Sequence, residues 1–174
     1  MAKVFNKELL SKESVLEHME KYKLGGSHVD ILLHLSVRKF TNEFDTVLED
    51  FFAQWGLSGS RFVVLSLLNE SSEGMTPTEI VKKVGVTNAT VSTVLSHLKS
   101  AGLVQMQSNA LDNRSYRIQI SEQGKSLVND LQQLYHDNTT RYWSYFSEDE
   151  KVQLTQMFTR MSQILSVFAT KKAY

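Results

Sequence analysis

The apolar period of this chain changes within one short segment, and that change restricts the fold more than any other feature. Ile80, Val81 and Val84, then Val91, Val94, Leu95 and Leu98, recur at helical spacing on either side of Gly85. Immediately afterwards, residues 103–107 and 116–120 alternate with a period of two around a polar stretch, the pattern of a β-hairpin. The segment therefore predicts two short helices joined by a three-residue turn and followed at once by a strand pair. Its start is well specified. Thr76 is placed as N-cap, Pro77 occupies the first helical position where its missing N–H does no harm, and Glu79 stands three residues after the cap. Gly85 supplies the turn, and Thr87 caps a second helix that reaches Ala101 and Gly102.

The rest of the chain reads as helix. A short helix or two is expected over residues 6–24, stopping at Gly25 and Gly26. From 28 to 54 the spacing of Phe40, Phe44, Val47, Leu48 and Phe51 marks one face of a long amphipathic helix, ended by Gly56. Ser58 caps a helix carrying Phe62, Val64, Leu65 and Leu68, which breaks at 71–74. After the hairpin, Ser121 starts a helix with Leu127, Leu131, Leu134 and Tyr135 on one side. A capping box at 147–150 then opens a last helix bearing Leu154, Met157, Phe158, Met161, Ile164, Leu165 and Phe168. A single proline lets these helices run uninterrupted. The fold class is mainly α with a small β-hairpin wing: a winged helix-turn-helix lobe at 57–120, flanked by long dimerisation helices at 28–56 and 121–174, with an N-terminal helical extension at 1–27. The winged motif is too small to cover the apolar stripes of the long helices. A symmetric homodimer would bury them; packing within one subunit is the alternative.

Composition removes several classes of chemistry. The chain has no cysteine, which excludes disulfides, thiolate nucleophiles and sulfur-ligated zinc. No stretch approaches the ~18 uninterrupted apolar residues of a membrane span, and the N-terminus lacks the apolar core of a leader, so a cytoplasmic protein without membrane contact is expected. His18, His28, His34, His97 and His136 contain no i, i+4 pair, and there is no phosphate-binding glycine loop or nucleophile elbow. No metal, no cofactor and no enzymatic activity are expected. Net charge is zero, with 19 basic and 19 acidic side chains, yet its distribution is uneven. Between Thr76 and Ile120, Lys82, Lys83, Lys99, Arg114 and Arg117 face only Glu79 and Asp112, an excess of +3 that suits a surface meeting phosphates.

A helix-turn-helix holds its second helix in the major groove of DNA by means of the first. If Val91, Val94, Leu95 and Leu98 point inward, Ala89, Thr93, Ser96 and Ser100 point outward, flanked by Thr90, Ser92 and His97. Small hydroxylated side chains suit close approach to base edges and phosphates, and Ala89 or a threonine methyl can meet a thymine methyl. Plain solvation of a surface helix is the other reading of the same residues. The hairpin shifts the balance, because a strand pair directly after such a helix forms a wing whose tip reaches the minor groove. Arg114 sits at that tip, where the groove's negative potential attracts it; otherwise it is a solvated loop charge. Asp112 either pairs with a basic side chain to brace the loop or simply forms the turn.

The run TPTEIVKKVGVTNATVSTVLSHLKSAGLV from Thr76, the wing Asp112-Asn113-Arg114 and the segment ISEQG ending at Gly124 resemble the MarR family of bacterial transcriptional regulators. The order of helices from about 28 to 168 is similar as well. The resemblance implies a dimer with interlocked N- and C-terminal helices on a pseudo-palindromic operator of double-stranded DNA. Carried onto this chain, the DNA-binding set is Thr87, Asn88, Ala89, Thr90, Ser92, Thr93, Ser96, His97 and Lys99, with Arg114 in the minor groove and Asp112 bracing the wing. It also implies repression relieved by a small amphipathic or phenolic effector, bound in a cleft near Phe40, Phe44, Trp55, Arg61 and Phe62. Core packing explains those five residues equally well, and the ligand site is unassigned. Such an effector would act by changing the separation of the two recognition helices. The chain departs from the pattern at Thr93, His97, Ala101, Gln105 and Met106, around which family members often carry arginine or lysine. With the neutral net charge, this leaves a competing reading, a winged-helix module that binds protein through the same motif.

Overall fold

The computed structural model describes residues 11–109 and 112–170, with the side chains at 108–109, 112–115 and 169–170 outside the description. The chain divides into two compact units, Met1–Ile120 and Ser121–Tyr174. In the first, the elements run α1 (Lys12–Lys21), α2 (His28–Ala53), α3 (Gly59–Asn69), α4 (Pro77–Val84), α5 (Asn88–Ser100), β1 (Val104–Asn109) and β2 (Asp112–Ile120). The second holds α6 (Glu122–Trp143) and α7 (Glu148–Thr170).

Local chemistry sets most of these boundaries. Ser58, Thr76, Thr87 and Ser121 have extended backbones and accept a bond from an amide in the first turn of α3, α4, α5 and α6. Each such cap stabilises its helix by about 1 kcal/mol. Gly85 ends α4 in the left-handed conformation, φ 69°, and donates its N–H to Val81 O at 2.9 Å. Of the short helix or two expected over residues 6–24, the described residues contain one, which Ser11 caps at Lys12, and Lys23 at φ 52° turns the chain away beyond its end. The part of that expectation over residues 6–10 lies outside the described residues.

The core of the first unit joins α3, α4, α5 and the hairpin. Leu65, Leu68, Ile80, Val91, Leu98 and Ile118 are almost fully buried, and Phe52 at the end of α2 stacks on Phe62 of α3 with ring centroids 4.7 Å apart. Truncating any of these leucines or isoleucines to alanine costs about 2–5 kcal/mol. On α1, Val15 and Met19 are buried. The strands pair antiparallel from Val104↔Ile120 to Ser108↔Tyr116, with an irregularity between Ser108 and Asn109. Met75, just before α4, adds a bridge on the other edge of β2: its N–H donates to Ile118 O at 2.9 Å and Ile118 N–H returns to Met75 O at 2.7 Å. The base of the wing is therefore pinned from both sides.

The capping box of α4 adds a pH-sensitive contact. Oε2 of Glu79 accepts from the Thr76 amide at 2.7 Å and from the Thr76 hydroxyl at 3.0 Å. Those bonds, the amide first, hold the Glu79 carboxyl below its usual range, with nearby Arg117 and Lys82 helping. A carboxyl lowered in the folded state stabilises the fold above its unfolded value, and that stabilisation disappears as pH falls through the lowered value. Glu79→Gln keeps an acceptor but no charge. Its melting temperature should lie below that of the parent at neutral pH, with the gap closing as the solution is acidified through the carboxylate range. A gap that does not change with pH contradicts this assignment.

In the second unit, Tyr142, Trp143 and Phe146 form a ring cluster at the turn between the helices, with Trp143 and Phe146 5.6 Å apart. Ser147 and Glu150 form the expected capping box. Met157, Phe158, Ile164, Leu165 and Phe168 on α7 are exposed, as are Val29, Leu33, Phe40 and Val47 on α2. Among the described residues, no helix is long and apolar enough to cross a membrane.

Candidate nucleic-acid interface

The inner and outer faces of α5 separate cleanly. Val91, Val94, Leu95 and Leu98 are buried, whereas Asn88, Ala89, Thr90, Ser92, Thr93, Ser96, His97, Lys99 and Ser100 are exposed, as is the cap residue Thr87. The apolar stripe anchors the helix on α3, α4 and β1, and this leaves a continuous outer face of small polar side chains.

Hydrogen bonds give that face a defined set of donors and acceptors. Thr87 Oγ1 accepts from the Thr90 amide at 3.2 Å and lies 2.9 Å from Thr90 Oγ1. Thr93 donates its hydroxyl to Ala89 O at 3.0 Å, which leaves its oxygen lone pairs and methyl group outward. His97 Nδ1 stands 2.8 Å from Thr93 O. A carbonyl only accepts, so Nδ1 carries the proton and, in the neutral ring, Nε2 is an acceptor. Lys99 Nζ rests 3.2 Å from the sulfur of Met106 on β1, at the C-terminal end of the helix. Ser92 and Ser96 are exposed among these groups. The face offers hydroxyls, an imidazole and one ammonium.

The backbones at Asp112 and Arg114 belong to β2, but both side chains lie outside the described residues, as does the tip at 110–111. Arg117 has a different place from the one its charge suggests. Its Nε donates to Glu73 O at 3.0 Å, its Nη2 donates to Gly74 O at 2.8 Å, and the same nitrogen is 3.5 Å from Glu79 Oε2. The guanidinium is committed to the turn before α4, so the basic excess available to a polyanion is smaller than the sequence count. Its role is to brace β2 against the start of the helix-turn-helix, across more than 40 residues of chain. Charge-assisted bonds to backbone carbonyls contribute about 1.5–3 kcal/mol, and the exposed ion pair with Glu79 adds little. Arg117→Ala should lower stability by about 1–2 kcal/mol, and Arg117→Lys should recover little of it, since an ammonium cannot span both carbonyls as the planar fork does. Thermal unfolding of the two variants checks this; full recovery by lysine contradicts it.

The residues that the resemblance sets near an effector cleft lie on α2, on α3 and in the turn between them. Phe62 stacks in the core, Phe40 and Phe44 pair along α2 at 5.6 Å, Trp55 is exposed, and Arg61 lines a cleft beside α5.

Comparison with known proteins places this architecture. Residues 55–115, from the turn after α2 through α3, α4, α5 and β1 into β2, match the model of the MarR family. The HTH-type transcriptional repressor YetL of Bacillus subtilis is 28% identical over 163 residues, covering 88% of this chain and 98% of the repressor. The HTH-type transcriptional regulator PecS of Dickeya dadantii is also 28% identical, over 70% of this chain and 74% of its own. Among solved structures, the S. aureus MepR–DNA complex superposes with a TM-score of 0.66 at 23% identity, over 73% of this chain and 93% of that one. A MarR family transcription regulator reaches 0.71 at 16% identity, over 83% and 97%. The family match spans the whole helix-turn-helix, the fold is that of solved MarR family regulators, and the chain is similar over most of its length to HTH-type transcriptional regulators.

Proposed function

We propose that this DNA-binding transcriptional regulator works as a homodimer that inserts two copies of α5 into successive major grooves of a pseudo-palindromic operator and represses transcription there. The observation that carries the reading is the division of α5 into a buried apolar stripe and an exposed hydroxylated face. Small side chains allow the helix to lie deep in the groove, and their hydroxyls bond to bases and phosphates alike. YetL is named a transcriptional repressor and MepR was solved on DNA, which supports repression and DNA as the partner. Arg114 contacts the minor groove from the wing, with Asp112 bracing it.

The dimer is supported by the apolar residues that α2 and α7 leave exposed on a single chain; a symmetric interface would remove them from water. An amphipathic effector that alters the separation of the two α5 helices would release the operator, because half-sites about 34–36 Å apart tolerate little mismatch.

Fluorescence anisotropy with DNA from upstream of the protein's own gene, at two salt concentrations, tests this reading. Sequence-selective binding that weakens steeply with salt, and weakens further in Arg114→Ala, is expected. Binding no tighter than to arbitrary DNA, repeated across genomic fragments, rejects it in favour of a protein-binding module.

A further inference from the structure

Beside the outer face of α5 lies a cleft of about 340 Å³ whose other wall is the start of α3. Thr90, Thr93, Val94 and His97 contribute at positions i, i+3, i+4 and i+7, the edge of α5 between its buried and exposed sides. Across from them stand Ser58, Ser60 and Arg61. The lining therefore holds four hydroxyls, an imidazole and a guanidinium, with no carboxylate. Thr90, Thr93 and His97 belong to both the cleft and the exposed face, so whatever lies along that face also covers the cleft mouth.

Arg61 carries the permanent positive charge of the lining, the feature that would favour an anion there. Of its five N–H donors, one reaches the Gly56 carbonyl, at 3.5 Å. The neighbouring hydroxyls are largely engaged locally: Ser58 Oγ accepts from the Arg61 amide and sits 3.1 Å from Ser60 Oγ. Over the span 87–98 the recognition helix and its cap carry no lysine or arginine, and Lys99 lies at its far end beside Met106. A duplex seated on α5 presents backbone phosphates at the lip of the groove, next to the helix edge that faces α3. We infer that Arg61, with Ser60 and Thr90 beside it, is a phosphate clamp supplied from α3. It takes the place of the cations that the recognition helix lacks.

This rests on the DNA-binding reading above, and the test separates the two. The full-length protein is titrated onto cognate and arbitrary duplexes over a series of salt concentrations, as parent, Arg61→Gln and Arg61→Lys. A phosphate contact predicts that Arg61→Gln weakens both duplexes about equally, by about tenfold, and lowers the slope of log K against log salt by about 0.9, while lysine keeps most of that slope. Ser60→Asp provides an independent arm. A carboxylate in the first turn of α3 favours the helix, so its melting temperature should not fall, yet it places negative charge in the clamp and should weaken binding at least tenfold. Parent-like affinity and slope in both Arg61→Gln and Ser60→Asp, with the parent binding its operator normally, overturns the clamp and leaves the regulator reading intact. Loss of affinity for the cognate duplex alone, with an unchanged slope, assigns Arg61 to base recognition and also overturns it. Failure of the parent to bind any duplex removes both readings together.

Discussion

Replacing Ser92 by glutamate is expected to abolish operator binding while leaving the fold intact. Ser92 is exposed near the middle of the outer face of α5, and the substitution touches none of the buried residues Val91, Val94, Leu95 and Leu98. Glutamate is at least as good a helix former as serine, so the melting temperature should stay within a degree or two. In the complex, the carboxylate would face phosphates and the acceptor-rich edges of bases without a compensating cation. Juxtaposed like charges at an interface cost several kcal/mol, which corresponds to a loss of affinity on the order of 100- to 1000-fold. Ser92→Ala, by contrast, should lose no more than about tenfold, since it removes one hydroxyl and adds no charge. Equal affinity of Ser92→Glu and the parent would mean that this face does not meet DNA.

The second large effect concerns Gly74, which precedes the bridge that pins the wing. Its φ is +68°, and a Cβ built there would stand 2.5 Å from Ile118 O and 2.7 Å from Gln119 Cγ. The glutamine could swing aside; the backbone carbonyl cannot, because it accepts the Met75 amide. An alanine would force apart the two hydrogen bonds between Met75 and Ile118 and displace the Gly74 carbonyl from Arg117. The left-handed conformation costs a side-chain-bearing residue roughly 1–2 kcal/mol, and two lost backbone bonds add about 1 kcal/mol each. Gly74→Ala should therefore destabilise by about 3–4 kcal/mol, a fall in melting temperature of roughly 6–15 °C for a chain of this size. Gly85 provides the control. Its φ is nearly the same, +69°, but a Cβ there would meet nothing within 4 Å. Gly85→Ala should lose only the conformational part, about 1–2 kcal/mol. Equal losses in the two variants would show that the approach to Ile118 does not matter. Because the wing is tied to α4 at this point, Gly74→Ala should also weaken DNA binding at temperatures where the protein remains folded.

These two cases show what the sequence reveals and what it hides. The outer face of α5 is legible because it depends on short-range rules: Thr87 caps, Gly85 turns, and apolar residues at helical spacing mark the inside, so the outside follows by geometry. The boundaries set by Ser58, Thr76, Ser121 and Ser147 are legible for the same reason. Contacts between distant segments leave no such trace. Nothing in the spacing around Arg117 indicates that its guanidinium closes on Glu73 and Gly74, and a count of charges assigns it to the wrong surface. Gly74 reads as an ordinary loop breaker until Ile118 is seen beside it. The family resemblance sets Arg61 near an effector cleft together with Trp55 and Phe62, and nothing in its spacing indicates that it shares a cleft with Thr90 and His97 of another helix. The identity of a residue fixes what it can bond to, while the packing of α3 on α5 decides which partner it meets.

Hydroxyl-radical footprinting of the purified protein on its tightest-binding genomic fragment addresses the central claim most directly. Two copies of α5 in successive major grooves predict protected blocks related by dyad symmetry, with half-site centres about 10–10.5 base pairs apart. Protection should persist at moderate salt and be absent in Ser92→Glu. Featureless protection that vanishes at moderate salt, or symmetric blocks that Ser92→Glu retains in full, would contradict the account.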